Sequence, residues 1–153
     1  MSDKLDTNDE RREDKHFVNC GEVSIIKDIV KGCQSMGIDN IMVITPYKQQ
    51  ERMLQLQLQQ QKVQGIRIGT IDKFQGQEAE VAIISMVRSN TCQDYHEAIG
   101  FLNNSRACVA FSRGKRKTII VGDQTTLTKN KFLASSIDTI TRKDGFFIWR
   151  NSN

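Results

Sequence analysis

The feature that most constrains this chain is a series of short runs, apolar at nearly every position, set between segments of a different period. IMVIT (Ile41–Thr45) is β-branched and cut off by Pro46; residues 66–71 and 81–87 are two more apolar runs of strand length, and 118–121 reads as a fourth strand. A strand with one wet face alternates, so a run that is apolar throughout reads as a strand buried on both faces. The intervening segments are helical in period. From 22 to 36, Val23, Ile26, Ile29, Val30 and Cys33 recur at three and four, and Gly37 follows as a stop signal. Residues 47–61 place Met53, Leu54 and Leu58 on one face. The glutamines there (Gln55, Gln57, Gln59, Gln60, Gln61) read as a solvated helix face, because leucines interrupt them at helical spacing and glutamine is a good helix former.

Residues 103–112 read as a third helix, with Asn103 or Asn104 as N-cap and Gly114 as terminator. Phe132, Ile137 and Ile140 mark a short fourth helix, and residues 146–149 read as a closing strand. Buried strands alternating with helices make an α/β domain, a mostly parallel sheet covered on both sides and joined by right-handed crossovers. Ligands of such sheets gather beyond the carboxyl ends of the strands. The segments to inspect are therefore Pro46 and Tyr47, residues 72–78, residues 88–90, and Gly122 with Asp123.

The chain has 153 residues, with 38% hydrophobic and 26% charged, enough for one domain to build a core without disulfide or metal staples. No apolar run is long enough to span a membrane and the first fifteen residues are polar, so no secretory signal is expected and the chain reads as intracellular, cytoplasmic or nuclear. Residues 1–15 carry six acids against four bases, which leaves the rest at net +6 within a total of +4. With so few apolar groups, residues 1–16 are expected to be a disordered tail or linker ahead of a domain over 17–150. The basic body suits a phosphate-bearing partner. Cys20, Cys33, Cys92 and Cys108 form no CxxC pair, and His16 and His96 are the only histidines, so no metal site is expected and the cysteines read as reduced, mostly structural thiols.

A phosphate-cradling P-loop needs GxxxxGK[ST], and none exists here. Gly114–Lys115 mimics its end, but Val109 stands where the first glycine must be and Arg116 where the hydroxyl must be. IIVGD (119–123) resembles a Walker B strand, although an aspartate after an apolar strand is common in α/β proteins. In TIDKFQGQEAEVAIISMVRSN (70–90), Gly76 lets backbone approach a ligand, Gln75 and Glu78 can bond ribose hydroxyls or a phosphate network, and Arg88 with Ser89 can grip a backbone phosphate. A surface loop with a turn glycine explains the same residues. Arg106, Arg113, Lys115, Arg116 and Lys117 occur with no acid between them. An arginine there can reach a neighbour's triphosphate, or simply complement a helix C-terminus; spacing does not separate the two.

The order of the pieces carries more. VITPYKQQ (43–50), the segment 70–90 and NNSRACVAFSRGKRKTIIVGD (103–123) closely resemble, in sequence, motifs IV, V and VI of the second RecA-like lobe of superfamily 1 helicases. The nearest subgroup is the Upf-like, DNA2/NAM7-type one that includes nonsense-mediated-decay helicases and senataxin. The match runs from about residue 19 to 123, and Asn19 and Glu22 resemble the N-x-x-E that opens this lobe. The resemblance implies a three-layer RecA-like fold without its own P-loop. It implies that Thr45, Pro46 and Tyr47 face the nucleic-acid backbone, with Gln50 at the family's usual glutamine, and that Thr70, Arg88 and Ser89 lie near the strand. Gln75 would link the two ligands, Gly76 and Glu78 would lie near the nucleotide, and Arg113 would be the arginine finger.

Departures accompany the match. Where the family reads VALTRA this chain has VAFSRG, and Gly114 in a helix should cost about 0.5 to 1 kcal/mol relative to alanine. The paired arginine upstream is reduced to Arg106 after Ser105, and Cys108 replaces an asparagine. The P-loop and the DEAG-type magnesium motif belong to a first lobe, so ATP with Mg²⁺ would be held mainly there. The implied role is ATP-coupled translocation along single-stranded RNA or DNA when a first lobe is present in cis or trans, with no hydrolysis by this chain alone. The alternative is a standalone, non-catalytic module, derived from a helicase lobe, that binds nucleic acid or protein; a flavodoxin-like nucleotide binder is disfavoured because its phosphate loop is missing.

Overall fold

A computed structural model of the chain describes residues 10–13, 16–60, 65–89 and 104–142. Strands β1 (Glu10–Glu13) and β2 (His16–Asn19) form an antiparallel ribbon. Helix α1 (Cys20–Ser35), strand β3 (Ile41–Thr45), helix α2 (Lys48–Gln60) and strand β4 (Ile66–Thr70) follow. A 3₁₀ turn (Ile71–Phe74) leads to β5 (Ala79–Ser85), α3 (Asn104–Phe111), β6 (Gly114–Val121), α4 (Gln124–Leu127) and α5 (Lys131–Arg142). The main sheet has four strands in the order β4-β3-β5-β6, all parallel. The expected strand at 146–149 and connection at 90–100 lie outside the described residues.

In β3 and β5 the apolar runs are buried on both faces, because alternate residues feed opposite layers, whereas edge strand β4 is mostly half-buried and its Ile66 and Ile68 pack on one layer alone. Ile41, Val43, Val81 and Ile83 pack with Ile26, Val30, Leu54 and Leu58 of α1 and α2. Met42, Ile44, Ala82 and Ile84 pack on the other face with Ala107 and Ala110 of α3 and with Leu127 and Leu133. Phe111 and Phe132 stack at 6.4 Å between α3 and α5 beside that second layer. The result is a three-layer, RecA-like α/β domain, and no described helix is long and apolar enough to cross a membrane.

Two differences from the sequence expectation have local causes. Four residues of the polar tail are paired in β1, and the ribbon is anchored because Val18 in β2 is buried and β2 lies against α2. Gly114 does not stop or weaken a helix; it opens β6, which starts four residues earlier than its apolar run. The register slips there, since Ala79 faces Gly114 but Val81 faces Lys117, the signature of a bulge. A Cβ at Gly114 would lie 2.3 Å from the Lys117 carbonyl oxygen, so the bulge has room only for glycine. Gly114→Ala is expected to lower stability by about 1 to 3 kcal/mol in urea denaturation; an unchanged midpoint would show that the bulge relaxes freely.

Candidate functional site

Thr45 and Thr70 end neighbouring strands and are Cα partners in the parallel register. Thr45 is buried and its hydroxyl accepts the Tyr47 N–H at 3.4 Å, tightening the turn through Pro46 into α2. The Tyr47 ring meets the ring of Phe17 on β2 at 5.3 Å with a 59° tilt, an edge-to-face style of contact. Arg88 lies over the same Phe17 ring, 3.9 Å from its centroid, and is only 6% exposed. The side chain expected to grip a phosphate is thus drawn inward by an attraction between cation and ring quadrupole. Ser89 donates to Asp123 Oδ2 at 3.0 Å, and Asp123 also accepts from the Thr126 hydroxyl and, as N-cap of α4, from the Thr125 N–H. The carboxyl end of the sheet therefore gathers Thr45, Pro46, Tyr47, Thr70, Arg88 and Ser89.

Beneath this surface is a polar network closed to solvent. Asn19 caps α1 by accepting the Glu22 N–H at 3.0 Å. In a capping box, the glutamate at this spacing reaches back to the cap's own N–H. Here Gln50 Oε1 takes the Asn19 N–H at 2.9 Å, while Gln50 Nε2 donates to the Asn19 carbonyl and to Ser85 Oγ. The Glu22 carboxylate turns instead to the end of β5, where it accepts the Ser85 hydroxyl at 2.5 Å and the Val87 N–H at 2.9 and 3.0 Å. Asn19 Nδ2 donates to the Val87 carbonyl at 3.0 Å.

Val87 has φ 70°, and Arg88 N–H bonds back to the Met86 carbonyl at 2.8 Å. This is a tight turn of the strained γ type centred on a β-branched residue, a conformation costing about 1 to 3 kcal/mol. Hydrogen bonds to a charged acceptor contribute about 1.5 to 3 kcal/mol each, so Glu22 can offset the strain.

Arg113, Glu78 and Gln77 lie at the opposite end, where β5 and β6 begin. Residues 72–78 do not remain beyond the carboxyl ends as the strand rule suggests; because β4 and β5 are parallel, the segment must cross the sheet to its amino ends. Asp72 is held to Arg106 at 2.9 Å and Lys73 pairs with Glu51 near its start. At its finish Arg67 donates to the Glu78 carbonyl at 2.8 Å and to Gln77 Oε1 at 3.2 Å. Gln75 and Gly76 are exposed between, and Gly76 has φ 80° with open space where a Cβ would stand, so its backbone conformation, not crowding, calls for glycine.

Arg113 reaches this loop. Its Nε donates to the Val109 carbonyl at 2.9 Å, Nη1 to the Gln77 carbonyl at 3.1 Å and Nη2 to Ser112 Oγ at 2.9 Å. Its own carbonyl accepts the Ala79 N–H, which fixes the backbone of the arginine to the start of β5. Lys115 pairs with Glu78 at 3.4 Å, an exposed contact worth little. Arg113 and Glu78 thus share one end of the sheet. The structure divides the predicted residues into two groups, one at each end, with Gln75 and Gly76 on the segment that runs between them.

Phe17, Ser85 and Val87 escape sequence reasoning. Ser85 carries a usable signal, as the one hydroxyl inside AIISMV, whereas Phe17 is the first residue assigned to the domain, next to the polar tail, and no periodicity marks its partners. Among the described cysteines Cys20 and Cys108 are exposed and Cys33 is buried, and burial raises the Cys33 thiol above its ordinary value, partly offset by Lys117.

The sequence signature of an AAA domain family matches residues 2–125. The chain is 36% identical over 123 residues to the DNA polymerase alpha-associated DNA helicase A of Saccharomyces cerevisiae, covering 76% of this chain and 17% of that protein. It is 32% identical over 129 residues to the probable helicase senataxin of Homo sapiens, covering 80% of this chain and 5% of that protein. It is 39% identical over 94 residues to the human RNA helicase Mov10l1, covering 60% and 8%. The chain spans less than a fifth of the length of these relatives.

Gln50→Leu, which removes three buried hydrogen bonds to Asn19 and Ser85, is expected to lower stability by about 3 kcal/mol in chemical denaturation; a change below about 1 kcal/mol would mean the network repacks. In the native chain, alkylation should modify Cys20 and Cys108 and spare Cys33 until denaturant is added, because a buried neutral thiol is a poor nucleophile. Equal labelling of all three by mass spectrometry would contradict that burial.

Proposed function

We propose, from the premise that this chain belongs to the AAA domain family and is a helicase-related domain, that it serves as the second RecA-like lobe of an ATP-dependent superfamily 1 helicase. One observation carries the reading. Arg113 and Glu78, which motif order assigns to nucleotide, lie at the opposite end of one parallel sheet from Thr45, Tyr47, Thr70, Arg88 and Ser89, which it assigns to nucleic acid, with Gln75 and Gly76 on the segment that crosses between.

Arg113 and Glu78 at the amino end, with Gln75 and Gly76 exposed on the segment leading to it, would form half of an ATP site whose P-loop and magnesium ligands would belong to a first lobe. The Arg113 guanidinium rests on neutral carbonyl and hydroxyl oxygens. Phosphate oxygens form stronger, charge-assisted bonds with guanidinium, so closure of the two lobes on ATP would draw Arg113 off those resting partners. At the carboxyl end, the half-buried Tyr47 and Thr70 would follow a single-stranded backbone, while Thr45 and Ser89, both buried, would shape the turns behind them; affinity would be salt-sensitive and nearly sequence-blind. Opening and closing of the cleft would then move one end relative to the other along the strand. Both DNA and RNA helicases stand among the relatives, and either strand suits this chemistry.

The second reading, a non-catalytic module that binds a strand or a protein, is favoured by the engagement of all three Arg113 nitrogens within the chain itself. The two readings part in one assay. Paired with a first lobe, in cis or in trans, the chain should support strand-stimulated ATP hydrolysis, and Arg113→Ala should reduce turnover by roughly 10³-fold or more. Turnover unaffected by Arg113→Ala contradicts the finger assignment. Strand binding by the chain at low salt, with no hydrolysis in the pair, supports the non-catalytic module.

A further inference from the structure

We propose that Glu22, assisted by Asn19, is a positioning residue for the strand-facing surface. It holds Val87 in the left-handed region so that Arg88 leaves β5 toward Phe17 and Ser89 toward Asp123. The proposal rests on the reading of the carboxyl end as a strand-binding surface, while its geometric half stands on contacts within the chain.

The geometry is one of capture at both poles of a single peptide turn. Met86 is still in register with β6, its N–H bonded to the Val121 carbonyl at 3.0 Å. One residue later the chain has turned, and both backbone polar groups of Val87 are held by the start of α1: the N–H by both Glu22 oxygens, the carbonyl by Asn19 Nδ2. Arg88 and Ser89 are the next two residues. Their side chains find Phe17 at 3.9 Å and Asp123 at 3.0 Å, contacts that a strand continuing straight would not make.

The choice of residue also argues for a purpose. Glu22 is 1% exposed, and burying a carboxylate is costly unless its hydrogen bonds are made. A chain needing only to end a strand has simpler means, such as glycine, which adopts positive φ readily. Here the sequence keeps a buried valine in that conformation and uses a buried acid to hold it. The start of α2 at Gln50 and the end of β5 at Val87 are both tied to the two residues at the start of α1.

The test separates positioning from bulk stability. In the 153-residue chain, NMR contacts between the Arg88 side chain and the Phe17 ring report the geometry, contacts between the facing Ile44 and Ile84 report the core, and a fluorescent single-stranded oligonucleotide at low salt reports binding. Glu22→Ala should abolish the Arg88 to Phe17 contacts, keep those of the core, and weaken oligonucleotide binding about tenfold, the size of one displaced charged contact. Glu22→Gln should retain both, since its amide oxygen still accepts from Val87. Adding Val87→Gly to Glu22→Ala should restore both, because glycine needs no restraint to hold the turn. Should Glu22→Ala fail to fold, Asn19→Ser keeps a helix cap while removing the donor to the Val87 carbonyl, and must also loosen the Arg88 to Phe17 contacts. Their persistence in a folded Glu22→Ala or Asn19→Ser chain, or no recovery in the double variant, overturns the proposal. Intact contacts in a wild-type chain that binds no oligonucleotide overturn the strand reading instead, and with it the functional half of the inference.

Discussion

A carboxylate removed from water and bonded to one turn of backbone is the interaction on which the rest of this domain hangs. Glu22 cannot be satisfied by its own helix, because Gln50 has taken the N–H that a capping glutamate would ordinarily seek. Its oxygens therefore tie α1 to the end of β5 through Ser85 and Val87. Gln50 adds α2 to the same knot. Three elements far apart in the chain meet at one solvent-free point, and each polar group there depends on the others. Such a cluster offsets its desolvation only while complete, which makes it an all-or-none determinant of where β2 and β5 end and α2 begins relative to one another.

The two ends of the sheet have different mechanical characters. At the carboxyl end, Arg88 is packed under an aromatic ring and Ser89 is fixed to a helix cap, so the surface is preorganised by burial. At the amino end, Arg113 is half-buried on a loop carbonyl and Glu78 is exposed, so the side chains there can exchange partners without disturbing the core. The crossing segment from Asp72 to Glu78 joins the two ends, anchored by Lys73 to α2 at one side and by Arg67 to β4 at the other. A rigid face for a polymer and an adaptable face for a reacting phosphate are what a translocating lobe would need.

Much of this is legible in the residues. Runs such as IMVIT, apolar on both faces, can only sit inside a three-layer sheet, and Val23, Ile26 and Val30 mark the inward face of α1 without ambiguity. For Thr45, Thr70 and Arg113, motif order supplies what spacing alone leaves open. The remainder is set by tertiary contact. A rule about strand ends places the loop at 72–78 beyond the carboxyl ends, but it does not say where a long crossing finishes. Gly114 resembles a helix defect in sequence, whereas its reason is a carbonyl from Lys117 that only the folded register brings near. Phe17 gives no signal in a polar neighbourhood, and the strained turn at Val87 is invisible in a run that has the pattern of plain strand.

Hydrogen exchange across the chain joined to a first lobe tests the central claim most directly. A single-stranded oligonucleotide should slow exchange at residues 45–47, at Thr70 and at Ser89, while a non-hydrolysable ATP analogue should slow it at residues 75–78 and at Arg113, in two sets that do not overlap. Protection of the same residues by both ligands, or protection confined to the face of β6 and α5, would contradict a lobe that binds polymer at one end of its sheet and nucleotide at the other.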